Sequence, residues 1–159
     1  HCHICHAAFA KVHHHYDALC PACAALNFSK RIQTRDLTGR VAVVTGARIK
    51  IGYQICLTLL RAGATVLATT RFPHDLAARL AHEPDFDTWR GRATAFFLDL
   101  RRLPLVRAFC RLVARRQRAV AILINNAAQT VARPPEYYAE VMRTELGLRA
   151  GAASTLPVR

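Results

Sequence analysis

Short apolar runs alternate with amphipathic stretches over most of the chain beyond residue 40. Each run is rich in apolar and β-branched residues and is followed by polar residues or a glycine, a pattern typical of buried strands. The four predicted strands are residues 41–44, 65–70, 93–98 and 120–124. The helices predicted between them are residues 50–62, 75–81 and 103–116. Strands that alternate with helices of this length predict an α/β fold with a parallel sheet and right-handed crossovers.

The composition divides the chain into zones. Residues 1–30 contain four of the six cysteines and six of the eight histidines, with little helical periodicity. Residues 31–40 are polar and predict a linker. The α/β pattern covers residues 41–142, and residues 143–159 form a divergent or truncated tail in which we predict no strand.

The length and hydropathy limit the class of protein. With 159 residues, 52% of them hydrophobic and 21% charged, the chain can bury the core of one ordinary domain with a small appendage, which excludes wholesale disorder. No run approaches the roughly 18 to 20 uncharged apolar residues of a membrane-spanning helix, so we expect no membrane partner. The chain begins at His1 without a signal peptide, and we expect a fragment of a longer cytoplasmic protein.

The formal net charge of +13 raises nucleic acid as a partner, but the basic residues are scattered. There are 20 arginines and only three lysines, and the local clusters are Arg101-Arg102 and residues 115–118. This pattern favours a solvated surface combined with the base composition of the source genome. Nucleic-acid binding stays open as the weaker alternative.

Four cysteines form two pairs at the start of the chain. The pairs are Cys2-x2-Cys5 and Cys20-x2-Cys23, with 14 residues between them. Two such pairs supply the four ligands of a structural zinc site of the ribbon type, although disulfides, a redox pair, free thiols or histidine substitutes stay open. Four thiolates close the coordination sphere, so we expect no catalytic zinc. Cys56 and Cys110 lie in apolar helical patterns and are predicted to be buried.

A glycine-containing turn follows the first predicted strand. It reads Thr45-Gly46-Ala47-Arg48-Ile49-Lys50-Ile51-Gly52. Gly46 permits a tight turn, and Gly52 permits close packing of the following helix on the strand. Backbone N–H groups and the positive end of a helix dipole meet there, which favours a phosphate site over an ordinary strand-to-helix loop.

Three motifs in order resemble the short-chain dehydrogenase/reductase family over residues 40–138. They are Thr45-Gly46-x5-Gly52, Asp99-Leu100 after the third strand, and Asn125-Asn126-Ala127-Ala128 after the fourth. The resemblance implies a partial, doubly wound Rossmann-type sheet of strand order 3-2-1-4, here preceded by the zinc module. It implies that the first motif holds the cofactor pyrophosphate through Gly46, Arg48, Lys50, Ile51 and Gly52. It also implies that Asp99 and Leu100 line the adenine pocket and that Asn126 and Ala127 lie beside the nicotinamide ribose.

The chain departs from the family pattern at two positions. Lys50 replaces the middle glycine, and Ala128 replaces the final glycine of the third motif. Because Arg48 has the same sign as Lys50, we expect the two cations to compensate for the lost glycine.

The end of the second strand indicates which cofactor binds. It reads Thr69-Thr70-Arg71, without the acidic residue that binds the ribose hydroxyls of NAD. Arg71, joined by Arg48, can pair with a 2′-phosphate, so we expect NADP(H), with NAD(H) as the alternative cofactor. The competing interpretation of Arg71 is a solvated residue at a strand end.

The catalytic residues of the resembled family are missing. Its Tyr-x3-Lys pair has no counterpart, because Tyr137 and Tyr138 are followed four places on by Val141 and Met142, and no lysine follows Lys50. We therefore expect the nucleotide-binding half of an NADP(H)-preferring oxidoreductase for a small carbonyl or alcohol, homo-oligomeric when complete and inactive as this chain. The alternative is a non-enzymatic dinucleotide-sensing or scaffold module whose zinc ribbon binds a protein or nucleic acid.

Overall fold

The structure is a computed structural model that describes residues 1–128, 133–151 and 156–159. The chain forms two compact units, His1–Arg35 and Asp36–Arg159.

The first unit contains one helix, α1, over Pro21–Arg31. Pro21 lies at the first helical position, where its missing N–H group costs nothing, and Lys30 and Arg31 in the last turn complement the helix dipole. Ala24 is the one buried residue of α1, so the helix has no broad apolar face. The sequence of residues 1–30 shows little helical periodicity although α1 forms there, because periodicity reports burial rather than helix formation.

The second unit contains a four-stranded parallel sheet of order β3-β2-β1-β4. The strands are β1 Val41–Thr45, β2 Thr65–Thr70, β3 Ala93–Phe97 and β4 Ile122–Ile124. In the register, Val44 of β1 is paired with Ala68 of β2 on one side and with Ile124 of β4 on the other. The predicted α/β class and the strand order 3-2-1-4 are confirmed.

Helices connect the strands and extend beyond the last one. They are α2 Lys50–Arg61, α3 Pro73–Ala81, α4 Phe86–Trp89, α5 Leu103–Arg116 and α6 Pro135–Gly151, with a 3-10 turn over Arg90–Arg92. Within the described ranges, no helix combines the length and apolar character that a membrane crossing requires.

The two faces of the sheet are buried to different extents. The face toward α2 and α3 holds the main core, which includes Val44, Cys56, Leu60, Leu76 and Trp89. The face toward α5 holds a smaller cluster of Val43, Leu67 and Phe96, against which Phe109 packs with a ring-centroid distance of 5.2 Å. No residue of α5 is fully buried. Cys56 is buried as predicted, but Cys110 is exposed, because it lies on this incompletely covered helix.

The carboxyl-terminal residues pair with the edge of the sheet. Val158 forms a single parallel bridge with Ala95 of β3, and the N–H of Phe97 donates to the carbonyl of Arg159 at 2.8 Å. Leu156 is buried in the main core. We predicted no strand after residue 143, and the described residues there form this single bridge rather than a strand. Residues 152–155 of the predicted tail lie outside the described residues.

Candidate functional site

The turn between β1 and α2 is built on two glycines that allow close backbone contact. Gly46 has a φ of 67°, and a Cβ added there would lie 3.0 Å from the Cα of Ala127. A Cβ added at Gly52 would lie 2.3 Å from the carbonyl oxygen of Gly46 and 2.5 Å from Nδ2 of Asn126. Real Cβ atoms do not approach other atoms so closely, so Gly52 has no substitute in this conformation.

Lys50, which replaces the expected glycine, keeps a conformation that glycine favours. Its φ is 55°, in the left-handed region, and it is the first residue of α2. A side chain in that region costs on the order of 1 kcal/mol. The turn therefore has a backbone conformation that glycine favours, and the substitution places an exposed ammonium group at the start of α2. No side chain caps α2 at Ile49, and Ile51 is 69% exposed.

Asn126 joins the end of β4 to this turn. Its side-chain amide donates to the carbonyl oxygens of Thr45 at 3.1 Å and Gly46 at 3.2 Å. The backbone N–H groups of Asn126 and Ala127 each donate to Oγ1 of Thr45 at 3.0 Å. Asn126 therefore positions the turn. Ala127 packs against Gly46 and leaves no room for a side chain at position 46.

Two arginines converge at the end of β2. The guanidinium carbons of Arg48 and Arg71 lie 5.3 Å and 5.5 Å from the centroid of the Phe72 ring. Arg48 is largely buried, with 13% of its side chain exposed, and its Nη1 pairs with Oδ2 of Asp75 at 2.8 Å. Both guanidinium groups therefore lie against the same aromatic ring, and cations at this place suit an anion such as a phosphate.

Asp99 and Leu100 follow the end of β3. The Arg101 guanidinium donates to Oδ2 of Asp99 at 2.6 Å, and this pairing lowers the pKa of the Asp99 carboxyl to about 2, with a smaller contribution from the charge of Arg71. Asp99 is therefore ionised at neutral pH, and Leu100 is 42% exposed. All four strands are parallel, so their carboxyl ends lie at the same end of the sheet. The glycine turn, Arg71, Asp99 and Asn126 follow these carboxyl ends.

Several residues near this edge were missed by the sequence analysis. Asp75 pairs with Arg48, the hydroxyl of Tyr137 accepts from Nη2 of Arg48 at 3.4 Å, and Tyr138 lies 5.2 Å from the guanidinium carbon of Arg71. A cavity of about 580 Å³ lies beside the turn, and its lining includes Arg48, Lys50, Tyr53, Asp75, Arg79 and Leu148. No local pattern signals these contacts, because they join the turn after β1 and the end of β2 to α3 and α6.

The four paired cysteines form one cluster in the first unit. Their Sγ atoms all lie within 4.8 Å of one another, and those of Cys5 and Cys20 are 3.6 Å apart. Backbone N–H groups at Cys5 and Cys20 lower the pKa of the Cys2 thiol to about 5. Four ligands at the usual Zn–S distance lie about 3.8 Å apart at the corners of a tetrahedron, so the cluster fits a tetrahedral metal ion.

Local geometry produces this cluster. The N–H of His6 donates to the carbonyl of Cys2 at 2.9 Å, which closes a tight turn around the first pair, and His6 has a φ of 60°. Cys20 is the N-cap of α1 and Cys23 lies in its first turn. One pair on a tight turn and one at a helix start bring the four sulfur atoms together.

The family is decided by comparison with known proteins. The family model described as short chain dehydrogenase matches residues 40–145. The chain belongs to the short-chain dehydrogenase family. The predicted resemblance is thereby confirmed.

Individual relatives are similar over part of their length. Protein R665 of Acanthamoeba polyphaga mimivirus is 40% identical over 137 residues, which are 82% of this chain and 29% of that protein. Retinol dehydrogenase 13 of Mus musculus is 35% identical over 104 residues, 65% of this chain and 30% of that one. The chain thus spans about 30% of the length of these relatives. The match to R665 includes more residues of this chain than the second unit, Asp36–Arg159, contains. It therefore extends into the first unit, which holds the cysteine cluster.

A solved structure supports the same assignment. A metagenomic short-chain oxidoreductase in complex with NADP is 28% identical, with a TM-score of 0.53, and the match covers 71% of this chain and 56% of that chain. This likeness extends over most of the second unit's length.

The close contact at Gly52 yields a stability prediction. We expect Gly52→Ala to lower the free energy of unfolding by about 3 kcal/mol, because the new methyl group would overlap backbone atoms that cannot move apart cheaply. The matched control is Gly147→Ala in α6, where a Cβ meets no atom within 4 Å. The control should be neutral or stabilising by about 0.5–1 kcal/mol. Urea unfolding monitored by circular dichroism measures both, and equal midpoints for the two variants would contradict the packing argument.

Proposed function

We propose that the second unit binds NADP(H) at the carboxyl ends of its strands. We also propose that the parent protein is an NADP(H)-preferring oxidoreductase acting on a small carbonyl or alcohol. The observation that carries this proposal is the pair of arginines, Arg48 and Arg71, held on the Phe72 ring beside the glycine turn. An ordinary strand-to-helix loop does not need two guanidinium groups in contact with one aromatic ring. The fit of the pyrophosphate is supported by the backbone of the turn, whose shape depends on the close contacts at Gly46 and Gly52.

Each strand end would hold one part of the cofactor. Backbone N–H groups of Gly46, Ile51 and Gly52 and the charges of Lys50 and Arg48 would bind the pyrophosphate, and Arg71 with Arg48 would bind the 2′-phosphate. Asp99 and Leu100 would line the adenine pocket, whereas Asn126 and Ala127 would support the ribose of the nicotinamide. When bound, NADP(H) supplies the hydride that the reaction transfers.

The proton donor for such a reaction is not supplied by this chain. No lysine follows Lys50 in the sequence, and in the structure Tyr137 and Tyr138 contact arginines. We infer that the chain alone does not reduce carbonyls with NADPH, because no tyrosine has a cation four residues on to lower its pKa. The family further implies a homo-oligomer for the complete protein.

The arginine pair leads to a test of cofactor choice. We expect Arg71→Ala to weaken NADPH binding by about 10- to 100-fold and to leave NADH binding unchanged, since a charge-assisted hydrogen bond to phosphate contributes about 1.5–3 kcal/mol. Arg115→Ala, an exposed arginine at the end of α5, is the matched control and should bind both nucleotides as the wild type does. Fluorescence titration measures all affinities. A folded wild-type chain that binds NADPH and NADH equally would refute the preference.

A second candidate function is a non-enzymatic module that senses a dinucleotide or serves as a scaffold. The missing Tyr-x3-Lys pair and the net charge of +13 favour it. Tight nucleic-acid binding that falls steeply with salt concentration is expected of this candidate alone, and a filter-binding titration at several salt concentrations distinguishes the two.

We also propose that Cys2, Cys5, Cys20 and Cys23 bind one structural zinc ion. The mutual approach of four sulfur atoms within 4.8 Å supports this site. A segment of about 35 residues cannot build a sufficient hydrophobic core, and a metal would replace that core. The proposal places the protein in a reducing compartment such as the cytoplasm, where thiols persist.

Metal analysis tests the zinc proposal. We expect one zinc per chain in purified protein, and loss of that zinc in Cys20→Ser, because three thiolates and a hydroxyl bind zinc far more weakly. Amide exchange in residues 1–35 should then rise to that of an unfolded segment. The control variant, Cys110→Ser, lacks an exposed cysteine outside the cluster, and its zinc content should equal that of the wild type. Less than about one fifth of a zinc per wild-type chain, or an unchanged zinc content in Cys20→Ser, would contradict the site.

A further inference from the structure

Helix α6 delivers a buried carboxylate to the amino-terminal end of α3. Oε1 of Glu145 accepts a hydrogen bond from the N–H of His74 at 2.8 Å, and Oε2 accepts one from the N–H of Asp75 at 2.8 Å. No side chain at the N-cap Phe72 performs this role. Glu145 is 7% exposed and about 70 residues away in sequence, so α3 is capped by an anion from a distant element.

The same helix covers both arginines of the proposed 2′-phosphate site. The Tyr137 hydroxyl accepts from Arg48, and the Tyr138 ring lies over Arg71. A phosphate bound between the two guanidinium groups would need the space and the charge that these contacts now use. The first turn of α6 therefore engages the arginines that a nucleotide phosphate would use, and its third turn is anchored at α3 through Glu145.

The attachment of α6 includes few fully buried side chains. Glu145 is the one buried residue among the described residues of this helix, and the hydrophobic Met142 and Leu146 beside it are 46% and 54% exposed. A helix without a fully buried apolar face gains little from packing. The bonds of the Glu145 carboxylate and the two tyrosine–arginine contacts therefore contribute to its position.

We propose that α6 is an internal cover of the proposed 2′-phosphate site, anchored at the start of α3 by Glu145, and that a nucleotide phosphate displaces it. This inference rests on the proposed function. The arginines release the tyrosines when they pair with a phosphate, and α6 then keeps only its Glu145 anchor. Binding of NADPH and docking of α6 are then mutually exclusive, and each weakens the other by the same factor.

Two measurements on the full chain test this competition. In the first, the NADPH affinity of Glu145→Gln is compared with that of Glu140→Gln, the same chemical change at an exposed position of the same helix. We expect Glu145→Gln to bind NADPH about tenfold more tightly than the wild type and Glu140→Gln to match the wild type. Emission of the buried Trp89 shows that each variant is folded.

The second measurement uses the wild type alone and decides the question even if Glu145→Gln does not fold. Hydrogen exchange of the amides in residues 135–151 is followed with and without saturating NADPH. We expect NADPH to lower the protection of α6 while it raises the protection of residues 46–52.

The outcomes separate the two proposals. If NADPH binds and protects residues 46–52 while the protection of α6 stays unchanged and Glu145→Gln matches Glu140→Gln, the cover is refuted and the cofactor proposal stands. If no folded variant binds NADPH, the cofactor proposal fails, and the cover fails with it.

Discussion

The candidate site depends on the close approach of three backbone segments at the end of β1. Gly46, the start of α2 at Gly52, and residues 126–127 meet at distances that leave no space for a side chain. The Asn126 amide and the Thr45 hydroxyl connect the segments by hydrogen bonds. This contact fixes the direction in which the first N–H groups of α2 point, and a phosphate site needs that direction to be fixed before the ligand arrives.

Cationic side chains lie at and beside the turn after β1. Lys50 has an unfavourable backbone conformation and adds a cation at the turn. Arg48 and Arg71 both contact the ring of Phe72. In this structure Asp75 balances part of that charge. The backbone of the site is thus preorganised, whereas Arg48 and Arg71 contact internal partners that a phosphate would have to replace.

Local patterns made the fold and part of the site predictable. The strands, the turn at Gly46 and the order of the motifs follow from apolar runs and glycine positions within a few residues of one another, so sequence reasoning reached them. The Glu145 cap was beyond reach, because α6 has no amphipathic face and its partner is about 70 residues away. Helix α1 and the pairing of Val158 were missed for a related reason: neither segment buries enough residues to show a period. Cys110 was predicted buried because α5 has an apolar face, but in the structure that face is incompletely covered.

The central claim is that the turn after β1 binds a dinucleotide through its backbone. The most direct test is a titration of the nitrogen-15-labelled chain with NADP⁺, followed through the amide resonances. The account predicts saturable shifts for residues 46–52 together with those of Asn126 and Ala127, with the largest changes at the start of α2. Amides of the turn that stay unchanged at saturating NADP⁺, or shifts confined to residues 1–35, would contradict it.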